Sequence, residues 1–243
     1  MRLALLEALN RARAGKREVC LLRFLDTHEE ALVVDGEPGC GGPLGEEVLA
    51  AARAALREDR CRLVETAQGP VFLQVFNPPL RLVLVGAVHI AQALAPMAAL
   101  AGYAVTVVDP RRAFATDSRF PDIALLDDWP DEALLALAPD RRTAVVTLSH
   151  DPKLDDPALE VALRSDAFYI AALGSRRTHQ KRLARLREAG FTGAELARIH
   201  GPAGLDIGAV SPAEIAVSIL AEMTAVLRRG KAELASREGE SAS

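Results

Sequence analysis

The stretch RLVLVGAVHIAQALAPMAALAGYAVTVVDPR, Arg81 to Arg111, decides the fold. An apolar run, Leu82 to Val85, meets a turn at Gly86. An apolar-periodic segment follows from Ile90 to Leu100, then Gly102, a second apolar run from Val105 to Val108, and Asp109. Strand, tight turn, helix, strand and acid in that order make the start of a Rossmann-type βαβ unit. Such a turn aims backbone N–H groups and a helix N-terminus at one spot, which favours phosphate. An acid closing the second strand can accept hydrogen bonds from a ribose-like diol. The stretch therefore predicts a nucleotide-like or phosphate-bearing ligand. The dinucleotide fingerprint G-x-G-x-x-G/A is met at Gly86 and Ala91. Its middle glycine is replaced by Val88, where a pyrophosphate would approach the backbone. The alternative stays open that the core is doubly wound and its first turn binds nothing.

Outward from this stretch the pattern continues. Strands are expected at 81–85, 104–108, 122–126, 143–148 and 168–173, and helices at 88–101, 130–137, 155–164, 175–189 and 212–229, with a shorter piece near 193–198. This alternation predicts an α/β class: a Rossmann-like parallel sheet with helices on its faces. Ser211-Pro212-Ala213-Glu214 combines a capping Ser, Pro at the first helical position and Glu two residues later. Before Leu80 the reading is a small α+β unit. It has a helix at 2–14, short strands at Val19–Leu25 and Ala31–Val34, and a Gly/Pro-rich loop from Gly36 to Gly45. A helix at Glu46–Leu56 and a hairpin follow. The hairpin pairs Cys61–Glu65 with Val71–Phe76 through Gln68-Gly69-Pro70. Asn77-Pro78-Pro79 marks a boundary. The expected organisation is a small α+β domain at 1–78, a Rossmann-like domain at 79–230, and a polar, disordered tail at 231–243.

Composition narrows the class. Of 243 residues half are apolar, enough for a sizeable core, while only 4% are aromatic, which suits Ala- and Leu-rich helices on a sheet. A net charge of −4 argues against a general nucleic-acid binder. No apolar run reaches the length of a membrane span. The amphipathic N-terminus carries Glu7 and lacks the apolar core of a signal peptide. Three cysteines, Cys20, Cys40 and Cys61, are too few and too irregular for a disulfide framework or a zinc site. A cytoplasmic protein is the simplest reading.

In a doubly wound sheet, ligands bind beyond the carboxyl ends of the strands. Those ends carry Gly86, Ala87 and His89; Asp109 and Arg111; His150 and Asp151; and Gly174, Ser175 and Arg176. Ser175 can cap a helix whose N–H groups meet an anion, and Arg176 can clamp a phosphate. Each has a plainer reading: a capped helix with solvated arginines, a loop in which Asp151 or Asp155 starts a helix, a surface His89. The loop His200 to Ala209 holds Gly204, Asp206 and Gly208 and suits a tight wrap around a ligand or another chain, or a simple crossover. Cys40 stands in a glycine loop as a candidate thiol contact, or as an inert residue. Cys20 and Cys61 fall in strand patterns and read as small packing residues. The apolar stripe Ile215, Ile219, Leu220, Met223 and Leu227 can serve a dimer or the core.

Several of these segments occur together in a known order. They are Asp109-Pro110-Arg111, Arg119-Phe120-Pro121, Ser149-His150-Asp151-Pro152 and Phe168-Tyr169-Ile170, then Gly174 to His179, Gly204 to Ala209, Pro212 to Ala216 and Ala221-Glu222. In this order they resemble the XdhC/CoxI family, the accessory proteins of molybdenum hydroxylases such as xanthine dehydrogenase. The resemblance covers roughly 80–230. It implies a chaperone and not a catalyst: binding of the molybdenum cofactor (molybdopterin, with a nucleotide conjugate possible), its protection, and its delivery to an apo molybdenum hydroxylase. It also implies a cysteine desulfurase or other sulfurtransferase as a partner, and a homodimer. The pattern departs at the N-terminus. Leu25 to Glu30 replaces the family's Gly-Ser-x-Pro-Arg segment, and Cys40-Gly41-Gly42-Pro43-Leu44-Gly45 stands for its Gly-Gly-Gly-Cys/Ala-x-Glu loop. Ala171 and Ala203 replace a usual Gly and Ile. The competing readings are an NAD(P)-dependent oxidoreductase and an assembly factor that binds no cofactor. The reading as a whole expects Gly86, Asp109, His150 and Ser175 to border one hollow.

Overall fold

The computed structural model of the protein describes residues 3–229. The tail expected at 231–243 lies outside the described residues. The chain divides after Pro78 into two compact units.

The first unit is a five-stranded antiparallel sheet with a helix on each face. Its elements are α1 (Leu3–Ala14), β1 (Val19–Phe24), β2 (Glu30–Val34), β3 (Glu37–Pro38), α2 (Glu46–Glu58), β4 (Arg62–Thr66) and β5 (Gly69–Phe76), in sheet order β3-β2-β1-β5-β4. Alternation along β1 explains the three layers. Val19 and Leu21 pack with Leu5 and Leu9 of α1, while Cys20, Leu22 and Phe24 pack with Val48, Leu49 and Ala52 of α2. Both faces of the central strand are covered, so it reads as an unbroken apolar run. The hairpin turns at Ala67-Gln68, since Thr66 pairs with Gly69. Gly69 and Pro70 therefore belong to the strand and not to the turn. Cys20 is buried as expected, and burial pushes its thiol up to about 12. Cys61 departs from expectation: it is exposed one residue ahead of β4, and its sulfur accepts the Val75 N–H.

The second unit is the parallel α/β layer structure. It runs β6 (Leu80–Val85), α3 (His89–Leu100), β7 (Tyr103–Val108), β8 (Ala124–Leu126), α4 (Pro130–Leu137), β9 (Thr143–Thr147) and α5 (Pro152–Leu163). It continues with β10 (Tyr169–Ala172), α6 (Arg176–Glu188), α7 (Gly193–Leu196), β11 (Ile199–His200) and α8 (Pro212–Arg229). The sheet order is β11-β10-β9-β6-β7-β8, and every pairing is parallel. Counted within this unit that is the Rossmann order 3-2-1-4-5-6, with the order reversing between β6 and β9. One face packs on α3 and α8 through Leu82, Leu84, Leu94, Ile219 and Met223. The other packs on α4, α5 and α6 through Val83, Val145, Leu134, Leu159 and Leu186.

Two details differ from the sequence reading, and one open alternative is resolved. Helix α5 begins at Pro152 rather than at 155, because Asp151 supplies the cap and Pro152 suits the first helical position. The two-residue β11 was not expected. The apolar stripe of α8 is spent on the core against α3, where Ala216, Ile219, Met223 and Val226 are buried. The Ser211–Glu214 capping box forms: Ser211 Oγ accepts the Glu214 N–H at 3.2 Å, and Glu214 accepts the Ser211 N–H at 2.8 Å. Among the described residues no helix is long and apolar enough to cross a membrane.

Candidate functional site

Parallel register brings the strand tips level. Val85 pairs with Val108 on one side and Thr147 on the other, and Thr147 pairs with Ala172. The residues that follow these tips share one edge, where ligands of this topology bind.

On the β6–α3 side this edge is sealed. Gly86 adopts φ +106°, and a Cβ on it would lie 3.0 Å from the Ser149 backbone nitrogen. The glycine is needed both for its conformation and for the approach of the neighbouring β9 loop. Ala87 is fully buried, and its N–H donates to Asp109 Oδ2 at 2.8 Å. Asp109 is itself 0% exposed. Its carboxylate also accepts from the Arg111 backbone at 3.0 Å and from Arg111 Nε and Nη2 at 2.8 Å each. Burial opposes its charge, but these donors outweigh burial and hold its carboxyl below the usual range.

This corrects two expectations. Asp109 is not turned outward to accept from a ligand, and the Ala87 amide is not open to a phosphate. The chain's own carboxylate fills both roles, because a short acid at the end of β7 reaches the adjacent turn. Arg111, held by Asp109, lays its guanidinium 4.8 Å from the Phe114 ring centroid. His89 is exposed in the first turn of α3.

On the β9 and β10 side the edge faces solvent. His150 is exposed and sits in the left-handed region at φ +62°. Asp151 caps α5, accepting the Lys153 N–H at 3.0 Å, so its side chain has a local task. Gly174 precedes Ser175, whose exposed Oγ caps α6 by accepting the Thr178 N–H at 3.2 Å. Arg176 is exposed in the first turn of α6. The expected single hollow is thus split: Gly86 and Asp109 are sealed below the surface, whereas His150 and Ser175 stand on it.

The glycine loop is tied from beneath. The Gly204 N–H donates to Glu222 Oε2 at 2.9 Å, and a Cβ on Gly204 would fall 2.3 Å from Ser218 Oγ. Its amide and its bare Cα are used internally, against the expectation of a ligand contact there. Asp206 and Gly208, further along, are exposed.

Glu222 organises this end of the sheet. It accepts the Tyr169 hydroxyl, and His200 Nδ1 lies 2.9 Å from its Oε1. Burial raises its carboxyl, but the His200 and Tyr169 contacts outweigh that and leave it lowered. Burial and the Glu222 charge push the Tyr169 phenol well up.

A second buried polar group joins the β9 and β10 loops. Ser149 Oγ donates to Asp155 Oδ1 at 2.6 Å, Asp155 Oδ2 lies 3.5 Å from Arg182 Nη2, and Arg182 donates to the Leu173 carbonyl at 2.9 Å. Sequence reasoning passed over Glu222, Asp155 and Arg182 as site residues. A signal existed for two of them. Glu222 falls in the core stripe of α8 between Ile219 and Val226, and Arg182 falls between His179 and Leu186 on the buried side of α6. A charge in an apolar stripe marks a buried polar contact.

Cys40 belongs to the first unit. There it borders a cavity of about 1240 Å³ that also takes in Arg23, His28, Glu30 and Gly41. A groove of about 660 Å³ between α4 and α5 lies toward the C-terminal ends of those helices and includes none of the candidate residues.

Residues 82–223 match the family described as the XdhC Rossmann domain. Among curated proteins, the Escherichia coli (strain K12) protein YqeB, described as uncharacterised, is 36% identical over 156 residues, 64% of this chain and 29% of its own length. The molybdenum cofactor insertion chaperone PaoD of the same organism is 34% identical over 151 residues, 62% of this chain and 41% of PaoD. A Bacillus subtilis (strain 168) protein, described as a probable subunit of xanthine dehydrogenase, is 31% identical over 160 residues, 65% of this chain and 46% of that protein. The matched stretch therefore spans less than half of each of these relatives. A Bacillus halodurans crystal structure described as a xanthine dehydrogenase aligns with TM-score 0.71 at 24% identity, over 95% of this chain and 68% of that one. At that identity the likeness is one of fold.

Proposed function

This chain belongs to the XdhC family, and from that membership we propose that it binds the molybdenum cofactor, protects it and helps insert it into an apo molybdenum hydroxylase of the xanthine dehydrogenase type. The observation that carries the reading is the 34% identity to a molybdenum cofactor insertion chaperone over 62% of the chain. In this reading the cofactor sits at the carboxyl edge of the parallel sheet.

The donor chemistry fits on one side and fails on the other. A phosphate-bearing pterin needs donors that face outward. His150, Ser175 and Arg176 offer them beside the N-terminus of α6, whose dipole favours an anion. At the β6–α3 turn the Ala87 amide is not available, since Asp109 already holds it. When bound, the cofactor would supply a metal held by a dithiolene. Ser175 and the α6 amides would hold the phosphate end, Arg176 would add charge, and His150 would stand beside the ring. Arg111, fixed by Asp109, keeps a positive face at the neighbouring strand tip.

The same geometry weighs against a nicotinamide enzyme. The position that would cradle a pyrophosphate is filled by an internal carboxylate, and Val88 adds bulk there. The test is retention. Purified protein is incubated with molybdopterin, with NADH or with neither, passed through a desalting column, and read by fluorescence. Retained pterin with no retained NADH is expected. Retained NADH, or no retained pterin, overturns the proposal.

A further inference from the structure

The exposed side of α6 is a strip of cations. Its first turn holds Arg176 and Arg177 and no acid, so both stand at the positive end of the helix, where cations are disfavoured. Lys181 and Arg187 continue the strip, opposite the buried His179, Arg182 and Leu186. Among the described residues none of these four cations has an ion-pair partner. Other exposed arginines are matched locally: Arg17 by Asp35, Arg62 by Glu58 and Arg112 by Asp127.

Across α5, on the same face of the sheet, the sign is reversed. Helix α5 packs on α6 to one side and on α4 to the other. Helix α4 has Asp131 and Glu132 in its first turn, and Asp128 stands just ahead of its cap at Trp129. These three acids also have no ion-pair partner among the described residues. The two patterns share their spacing. Arg177, Lys181 and Ala184 are exposed at i, i+4 and i+7 along α6, and Asp128, Glu132 and Leu135 are exposed at the same intervals along α4. Leu135, 67% exposed, borders the groove of about 660 Å³ between α4 and α5. The position of α6 that corresponds to it is the small Ala184, which leaves room for a leucine.

We propose that the α4–α5–α6 face docks a second copy of this chain. A twofold axis running along α5 lays α6 of one copy over α4 of the other, with both helices pointing the same way, and makes the contact twice. Arg177 then faces the partner's Asp128, Lys181 faces the partner's Glu132, and Ala184 faces the partner's Leu135. The apolar walls of the groove, Leu135, Pro139, Pro157 and Val161, supply the dry centre, and the ion pairs form its rim. The charges also fix the register. A twofold axis across the helices would set α6 against α6 and bring like charges together. An acidic segment of another protein would satisfy the cations alone, whereas a second copy also pairs the acids and covers the groove. The interface uses neither His150 nor Ser175, so it stands apart from the proposed cofactor role.

Sedimentation velocity of the full-length protein at micromolar concentration reads the oligomeric state. A dimer is expected, weakening as sodium chloride is raised. Arg177→Glu with Lys181→Glu should weaken it by about tenfold or more, and so should Asp128→Lys with Glu132→Lys. All four substitutions together should restore it, because the same pairs re-form with their signs exchanged. That recovery also shows that each one-sided variant failed through charge and not through folding, which circular dichroism checks directly. Leu135→Ser should weaken the dimer at high salt as much as at low salt. A wild type that is monomeric throughout, a dimer indifferent to both reversals, or no recovery in the fourfold variant overturns the interface. A monomeric wild type that binds a labelled octaglutamate peptide, and loses it in Arg177→Glu with Lys181→Glu, also overturns it and assigns the strip to an acidic partner.

Discussion

Two turns in the parallel sheet share a backbone plan and serve different ends. Each runs from a buried strand through a glycine with positive φ, Gly86 at +106° and Gly174 at +138°, into a helix of 12 or 13 residues. At the first, an acid 22 residues away enters the turn and takes its amide. At the second, Ser175 caps the helix from within and stays on the surface. Local sequence sets the shape of such a turn, while a residue elsewhere decides whether the turn is braced or open. The first turn is an architectural joint, and the second stays open on the surface.

That contrast breaks most readily at Asp109. Asp109→Ala should lower unfolding stability by about 3 kcal/mol, since it strips a buried amide and a guanidinium of their acceptor. Urea denaturation reads this, and a loss below about 0.5 kcal/mol would mean the first turn is not braced. The pH dependence has a definite sign. Asp109 has a depressed carboxyl, so its contribution is full above the ordinary carboxylate value of about 3.9 and is lost as pH falls through the lower folded value. Stability should therefore drop more steeply with acid in the wild type than in Asp109→Ala.

Glu222→Gln offers a smaller effect of the same kind, about 2 kcal/mol, by disturbing the Tyr169, His200 and Gly204 contacts at once. Faster hydrogen exchange at the Gly204 amide is its specific mark. At the open turn, Ser175→Ala should cost only about 1 kcal/mol as a lost cap yet reduce pterin retention. Smallest in stability is Arg176→Ala, within about 0.5 kcal/mol of wild type, with a clear fall in retained pterin fluorescence. Unchanged retention in both α6 variants would return the ligand to another part of the edge.

Much of the architecture was legible because periodicity survives burial. The apolar runs 82–85 and 105–108, Gly86 and Asp109 placed the first βαβ unit to within a residue or two of β6, α3 and β7. Strand β11 was not legible, since two residues show no alternation and owe their place to pairing with Ile170 and Ala171. The sequence reading starts helix α5 three residues late because Pro157 and the Asp155-Asp156 pair look like a start, whereas Asp151 with Pro152 is the stronger one. At the candidate site the sequence located the strand tips and the Ser175 cap. It did not disclose which way Asp109 turns, because an acid at a strand end can face a ligand or a neighbouring loop with equal ease. Nor did it pair Tyr169 with Glu222, which lie 53 residues apart.

The outermost strands of the parallel sheet, β8 and β11, are only three and two residues long. A free sheet margin is a template on which a foreign chain can add itself, and its appeal grows with the number of unpaired peptide groups in a row. Margins this brief offer too few to hold one. The interior strands can thus be as greasy as Val83–Val85 and Val145–Val146 require without inviting fibre growth or strand exchange between molecules at high concentration.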